Sequence, residues 1–176
     1  MTDAAHGVRQ ILLDSGAVKF GKFTLTSGRE SDVYVDVKQA WTRPDRLRPI
    51  AAALAERVRD EQRLAGVELG AVPLVVATAL ATGRPYLVVR KPGREHGTGR
   101  TFEGDLPPGA TCLLIEDVVT TGGSVAAAVE LLRAAGAKIE RVLTVIDRQE
   151  GGAERLAPLG VQLEALATLA SLRDPS

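Results

Sequence analysis

The chain reads as an α/β protein with a mostly parallel central sheet flanked by helices, a small amino-terminal hood and one long loop at the sheet edge. Three observations predict this. From Val67 onward, short apolar runs alternate with helix-like segments, the pattern of βαβ units joined by right-handed crossovers. Residues 112–115 are continuously apolar, as suits a strand covered on both faces, and they end in two carboxylates, a small-residue loop and a helix-forming stretch. The 176 residues are 45% hydrophobic, enough for one substantial core and hence a single domain over 1–176.

The elements follow in order. Residues 3–13 predict a first helix, and 23–25 and 32–37 short strands; with the connection to residue 43 these form the hood. Residues 44–63 predict a long helix opened by proline in its first turn, beginning a core that runs from 44 to 176. Next come a strand over 67–69, a helix over 72–81, and strands over 86–89 and 111–115. The alanine- and leucine-rich stretch 125–135 predicts a helix stopped by Gly136, followed by a strand over 141–146. Residues 93–109, rich in glycine, proline and charge, form the one long irregular segment, and such loops are often functional lids. No linker, low-complexity tract or internal repeat divides the chain.

Composition excludes several functions. The 22 basic and 22 acidic residues cancel, leaving no electrostatic footprint for nucleic acid or an anionic membrane. With one cysteine and two histidines there is neither an internal disulfide nor a zinc constellation, and Cys112 reads as a packed thiol. No signal core and no apolar run of spanning length occurs, so a soluble cytoplasmic protein is expected. No G-x-S-x-G elbow marks a hydrolase, and neither a Walker loop nor a dinucleotide loop is present.

The segment 112–124 carries the chemistry. Glu116 and Asp117 are placed at the carboxyl end of a strand, where ligands of open α/β sheets bind. Val118 and Val119 lead into Thr120, Thr121, Gly122, Gly123 and Ser124 at the start of a helix. Unpaired backbone N–H groups there attract a phosphate, hydroxyls add donors, and glycines allow close approach. Ionised carboxylates only accept hydrogen bonds, so Glu116 and Asp117 suit sugar hydroxyls or a magnesium shell rather than the phosphate itself. The implied ligand is a phosphorylated ribose. Arg90, Lys91, Arg94 and His96 are four potential cations after the strand over 86–89, either a solvated basic loop or partners for an anionic leaving group at the sheet edge. Arg148 ends an apolar strand and could pair bidentately with a substrate carboxylate, or form a structural ion pair with Asp147 or Glu150. Tyr34 could stack on a flat base or belong to the core.

The run LIEDVVTTGGS at 114–124 resembles the phosphoribosyl pyrophosphate (PRPP) motif of type I phosphoribosyltransferases. FTLTSGR at 23–29, with Tyr34 and Asp36, resembles the amino-terminal signature of the orotate phosphoribosyltransferases. VRKPGREHG at 89–97 resembles their mobile catalytic loop, GVELGAVP at 66–73 their pyrophosphate loop, and DRQEG at 147–151 the strand end that contacts orotate. The resemblance covers most of the chain and implies a type I phosphoribosyltransferase-like fold. It implies transfer of a phosphoribosyl group from PRPP to orotate, giving orotidine 5′-phosphate in pyrimidine biosynthesis.

It also implies roles. Arg90, Lys91, Arg94 and His96 would contact PRPP, with Glu116, Asp117 and the segment from Val118 to Ser124; Lys91, Arg94, His96 and Asp117 would be the catalytic set, and Thr120 and Arg148 would recognise orotate. Magnesium would be carried mainly by PRPP, with no metal site made of protein ligands. A homodimer sharing the catalytic loop across its interface is implied. Three departures stand out: Arg94, Thr26 and Gly70 occupy positions where some members carry lysine. The rival readings are a transferase for a purine or other base, and a non-catalytic PRPP-sensing regulator.

Overall fold

The structure is a computed structural model and describes residues 3–24, 30–90 and 101–173. Helix α1 (Asp3–Asp14) leads to an antiparallel ribbon of β1 (Val18–Thr24) and β2 (Glu30–Val35), then to the short α2 (Lys38–Trp41) and to α3 (Pro44–Ala55). The core continues with β3 (Arg63–Val67), α4 (Val72–Thr82), β4 (Tyr86–Val89), β5 (Phe102–Glu103), β6 (Thr111–Val119), α5 (Gly123–Ala134) and β7 (Lys138–Asp147). Helix α6 (Gly152–Leu156), a 3₁₀ turn, β8 (Gln162–Thr168) and α7 (Leu169–Arg173) close it. The six-stranded sheet has the order β5-β4-β3-β6-β7-β8, parallel except for the β4–β5 pair.

The continuous apolar runs arise because the sheet is buried on both sides. Along β6, Leu113 and Ile115 join the layer of α1, α3 and α4, with Leu12, Ile50, Leu54, Leu74 and Val75. Cys112 and Leu114 face the opposite layer, with Val125, Val129 and Leu132 of α5. Burying such a side chain stabilises the fold by about 1.5–3 kcal/mol. Cys112 is a core residue, and burial pushes its thiol up to about 11, away from reactivity.

Several boundaries differ from those expected. Helix α3 stops at Ala55, and Arg63 opens β3. The intervening Glu61 is needed elsewhere: it pairs with Arg141 of β7, whose guanidinium also grips Glu164 of β8 through Nε and Nη2, both at 3.0 Å. The same Nη2 donates to the Arg57 carbonyl at 2.9 Å. This nearly buried network ties the connection before β3 to two strands. The strand expected over 67–69 lies instead at Arg63–Val67, and β8, α6 and α7 had no counterpart in the sequence reading. The expected irregular segment 93–109 includes β5, which pairs with the end of β4.

Candidate active site

The position of the site follows from the sheet. Strand β3 connects through α4 to β4 on one side, whereas β6 connects through α5 to β7 on the other, and α4 and α5 cover opposite faces. The order therefore reverses between β3 and β6, the place where open α/β sheets form a ligand crevice. Pairing between the two strands ends at Gly66 with Ile115. Beyond that point β3 turns away, while β6 runs on to Val119 against β7 alone. Glu116 and Asp117 therefore lie inside a long strand, not beyond the end of a short one, and they stand beside the notch that β3 vacates.

A cleft of about 250 Å³ fills this notch, lined by Lys38, Glu68, Leu69, Gly70, Glu116, Asp117, Val118 and Ser124. Glu116 is buried, and its Oε1 accepts from the Asp117 N–H at 2.9 Å. Asp117 is half-buried, with Oδ1 accepting from the Val118 N–H at 2.8 Å. Gly70 lies against the same carboxylate: a Cβ there would stand 2.6 Å from Asp117 Cγ and nearer still to Oδ2. A lysine at this position would not fit beside Asp117 as it lies here.

The small-residue loop turns sharply into α5. Gly122 has φ +75°, a conformation open to glycine, and begins the helix whose Ala126 N–H donates to its carbonyl at 2.9 Å. Across from it, Gly152 packs so closely that a Cβ would collide with Val119 and stand 3.1 Å from the Thr120 carbonyl. Thr121 and Ser124 are exposed at the head of α5, where unpaired N–H groups and the helix dipole favour a phosphate.

The other expected site residues divide. Arg90 follows β4, bonds Glu103 at 2.7 Å and lines a neighbouring hollow of about 360 Å³ that shares only Ser124 with the cleft. Lys91, Arg94, His96 and Thr26 lie outside the described residues. Arg148 follows β7; its N–H donates to the Val119 carbonyl at 2.9 Å and its Nη2 bonds Glu150 at 2.6 Å. Its Nε is buried without a hydrogen-bond partner. The ion pair to Glu150 is thus formed, and one donor is left over. Tyr34 is 40% exposed and tilts against Phe23, ring centroids 5.7 Å apart, so it is a ribbon residue and not core. The sequence reading missed Lys38 and Glu68 in the cleft; Lys38 comes from a four-residue helix with no motif to announce it.

The acceptors in the cleft suit magnesium chemistry in one respect. Glu68, Glu116 and Asp117 are hard oxygen donors, but no group of three such residues is placed to cage an ion among the described residues. Magnesium keeps several waters and commonly draws on substrate phosphates, so Asp117 and its neighbours fit an ion that arrives with a polyphosphate.

A helix start open to a phosphate, two adjacent carboxylates and a switch-point crevice fit a phosphoribosyltransferase, and residues 38–161 match the family model described as a phosphoribosyl transferase domain. An orotate phosphoribosyltransferase of Natronomonas pharaonis is 51% identical over 161 residues, 92% of each chain. The crystal structure of orotate phosphoribosyltransferase from Aeropyrum pernix superposes with a TM-score of 0.84 at 34% identity, covering 94% of this chain and 95% of that one. That of Mycobacterium tuberculosis H37Rv in complex with PRPP gives 0.78 at 31%, covering 97% and 99%. The chain belongs to the orotate phosphoribosyltransferase family.

Proposed function

We propose that this chain joins orotate to the phosphoribosyl group of PRPP, forming orotidine 5′-phosphate and pyrophosphate. The observation that carries this reading is the convergence, at the switch point of a chain in this family, of Glu116 and Asp117 with the loop from Thr120 to Ser124. Orotate N1 forms a bond to C1 of the ribose as the bond from C1 to the pyrophosphate oxygen breaks; that oxygen keeps the electron pair, and the N1 proton leaves with the pyrophosphate or to solvent. The ribose passes through a cationic state, so the protein's task is placement and electrostatics, not covalent catalysis.

The loop from Thr120 to Ser124 holds the 5′-phosphate through backbone N–H groups and hydroxyls. Glu116 and Asp117 accept from the ribose hydroxyls, and Asp117 also stabilises the cationic sugar. Arg90, Lys91, Arg94 and His96 neutralise the departing pyrophosphate, and closure of their loop excludes water. Arg148 and Thr120 orient orotate. Magnesium, when bound, screens the pyrophosphate charge. The chain works as one unit, with 1–43 as the first helix and hood strands and 44–176 as the PRPP-binding core, in the cytoplasm; among the described residues no helix is long and apolar enough to cross a membrane. The relatives are named for orotate, which favours that base over a purine.

The test is the fall in orotate absorbance when purified protein meets PRPP, orotate and magnesium. Turnover at enzymatic rates supports the reading. PRPP binding without orotate consumption sinks it in favour of another base or a regulator.

A homodimer sharing the catalytic loop is part of the proposal. Helix α4 carries no charged residue, the hydroxyls of Thr78 and Thr82 bond its own carbonyls, and Leu80 on it is 83% exposed. An apolar helix face without cover is an interface signature. Leu80→Glu should weaken dimerisation by about thirtyfold or more, on the order of 2 kcal/mol, in sedimentation equilibrium. A Leu80→Glu protein that dimerises like the parent removes α4 from the interface.

A further inference from the structure

Of the charged side chains that line the cleft, three are carboxylates, Glu68, Glu116 and Asp117, and one is an ammonium, Lys38. A ligand carrying pyrophosphate meets repulsion from all three acids. The 5′-phosphate goes to the head of α5, so the opposite end of the ribose, with its pyrophosphate, lies toward the turn from β3 to α4. That turn supplies no cation. Leu69 and Ala71 are apolar, and Gly70 has no room for a side chain because a Cβ would stand 2.6 Å from Asp117 Cγ. Lys38 reaches the same space from the hood. It is exposed, and its ammonium makes no hydrogen bond or ion pair among the described residues, unlike the neighbouring Arg43, which is paired with Asp45 at 3.1 Å.

From this we infer that Lys38 is a pyrophosphate-binding residue, the hood's cation set against the acidic floor of the cleft. The inference rests on the proposed reaction and adds a contact from the hood to those proposed for Arg90 and Lys91. An ammonium in this role acts as a compact charge on a flexible stem and strengthens as the leaving group gains charge.

The experiment uses the full chain and inorganic pyrophosphate with magnesium as probe, beside ribose 5-phosphate as a probe of the other end of the site. Lys38→Ala should raise the KM for PRPP and the Kd for pyrophosphate by about ten- to a hundredfold, with ribose 5-phosphate affinity, orotate KM and melting temperature unchanged. Lys38→Arg should restore most of the loss, and Arg43→Ala should cause none. Equal weakening of both probes in Lys38→Ala, or pyrophosphate affinity like the parent's, overturns the inference. Failure of the parent protein to consume orotate is a different result and strikes the proposed reaction instead.

Discussion

Asparagine at position 117 should lower kcat/KM by roughly a hundred- to a thousandfold, the size of effect seen when one preorganised electrostatic group is removed from a reacting centre. The substitution keeps the shape. Asp117 Oδ1 accepts from the Val118 N–H, and asparagine's carbonyl can do the same, so β6 and its pairing with β7 are undisturbed. The second oxygen is what changes. It faces Gly70 and the cleft, and as an amide it turns from acceptor to donor and loses its negative charge beside the cationic ribose. Gly70→Ala should cause a loss of similar size by a separate route, because its Cβ forces the carboxylate to move. Orotate absorbance assays on both variants, with melting curves as controls, decide the matter. If both turn over like the parent, Asp117 is not at the reacting carbon.

Arg141→Met should destabilise the fold by about 3–5 kcal/mol, because it leaves the buried Glu61 without its ion pair and Glu164 with Arg59 as its remaining ion-pair partner. Arg141 is nearly buried and grips Glu164 with two donors. Urea titration should read the loss directly, and the melting temperature should fall by about 6–20 °C. The network also sets a pH dependence. The hydrogen bond from Arg141, with its charge and those of Arg59 and Arg57, holds the Glu164 carboxyl below its ordinary 4.5 against the opposing effect of burial. Its folded pKa is thus lower than its unfolded one. The stability it contributes is present above about 4.5 and is lost as pH falls through the folded value. Arg141→Met should flatten the acid limb of stability against pH below 5. A parent-like limb in the variant points to other carboxylates.

The sheet-forming segments with unmixed signals were legible. Residues 86–89 and the helix over 72–81 are matched within a residue by β4 and α4, since short apolar runs bounded by turn residues have few alternatives. The site was legible where a motif lies within one strand, loop and helix. Strand β8 was not, because Gln162–Thr168 is written, apart from Thr168, in Leu, Ala, Glu and Gln, residues that favour helix, and pairing with β7 makes it a strand. Strand β6 was cut short in the reading because two acids usually end a strand. Here they tolerate strand geometry since β3 has left and the cleft takes their side chains. Lys38 was invisible because its role depends on distance across the fold, not on neighbours in sequence.

The Arg141 network sits among residues that precede β3 and open β7 and β8, away from the carboxyl-end cleft. Rigidity and chemistry thus occupy different addresses in one molecule. Substitutions in the cleft therefore leave the Arg141 network untouched and need no compensating change that restores the melting point. For the engineer the converse holds: hardening the protein against heat is best begun around Arg141, where no substrate waits.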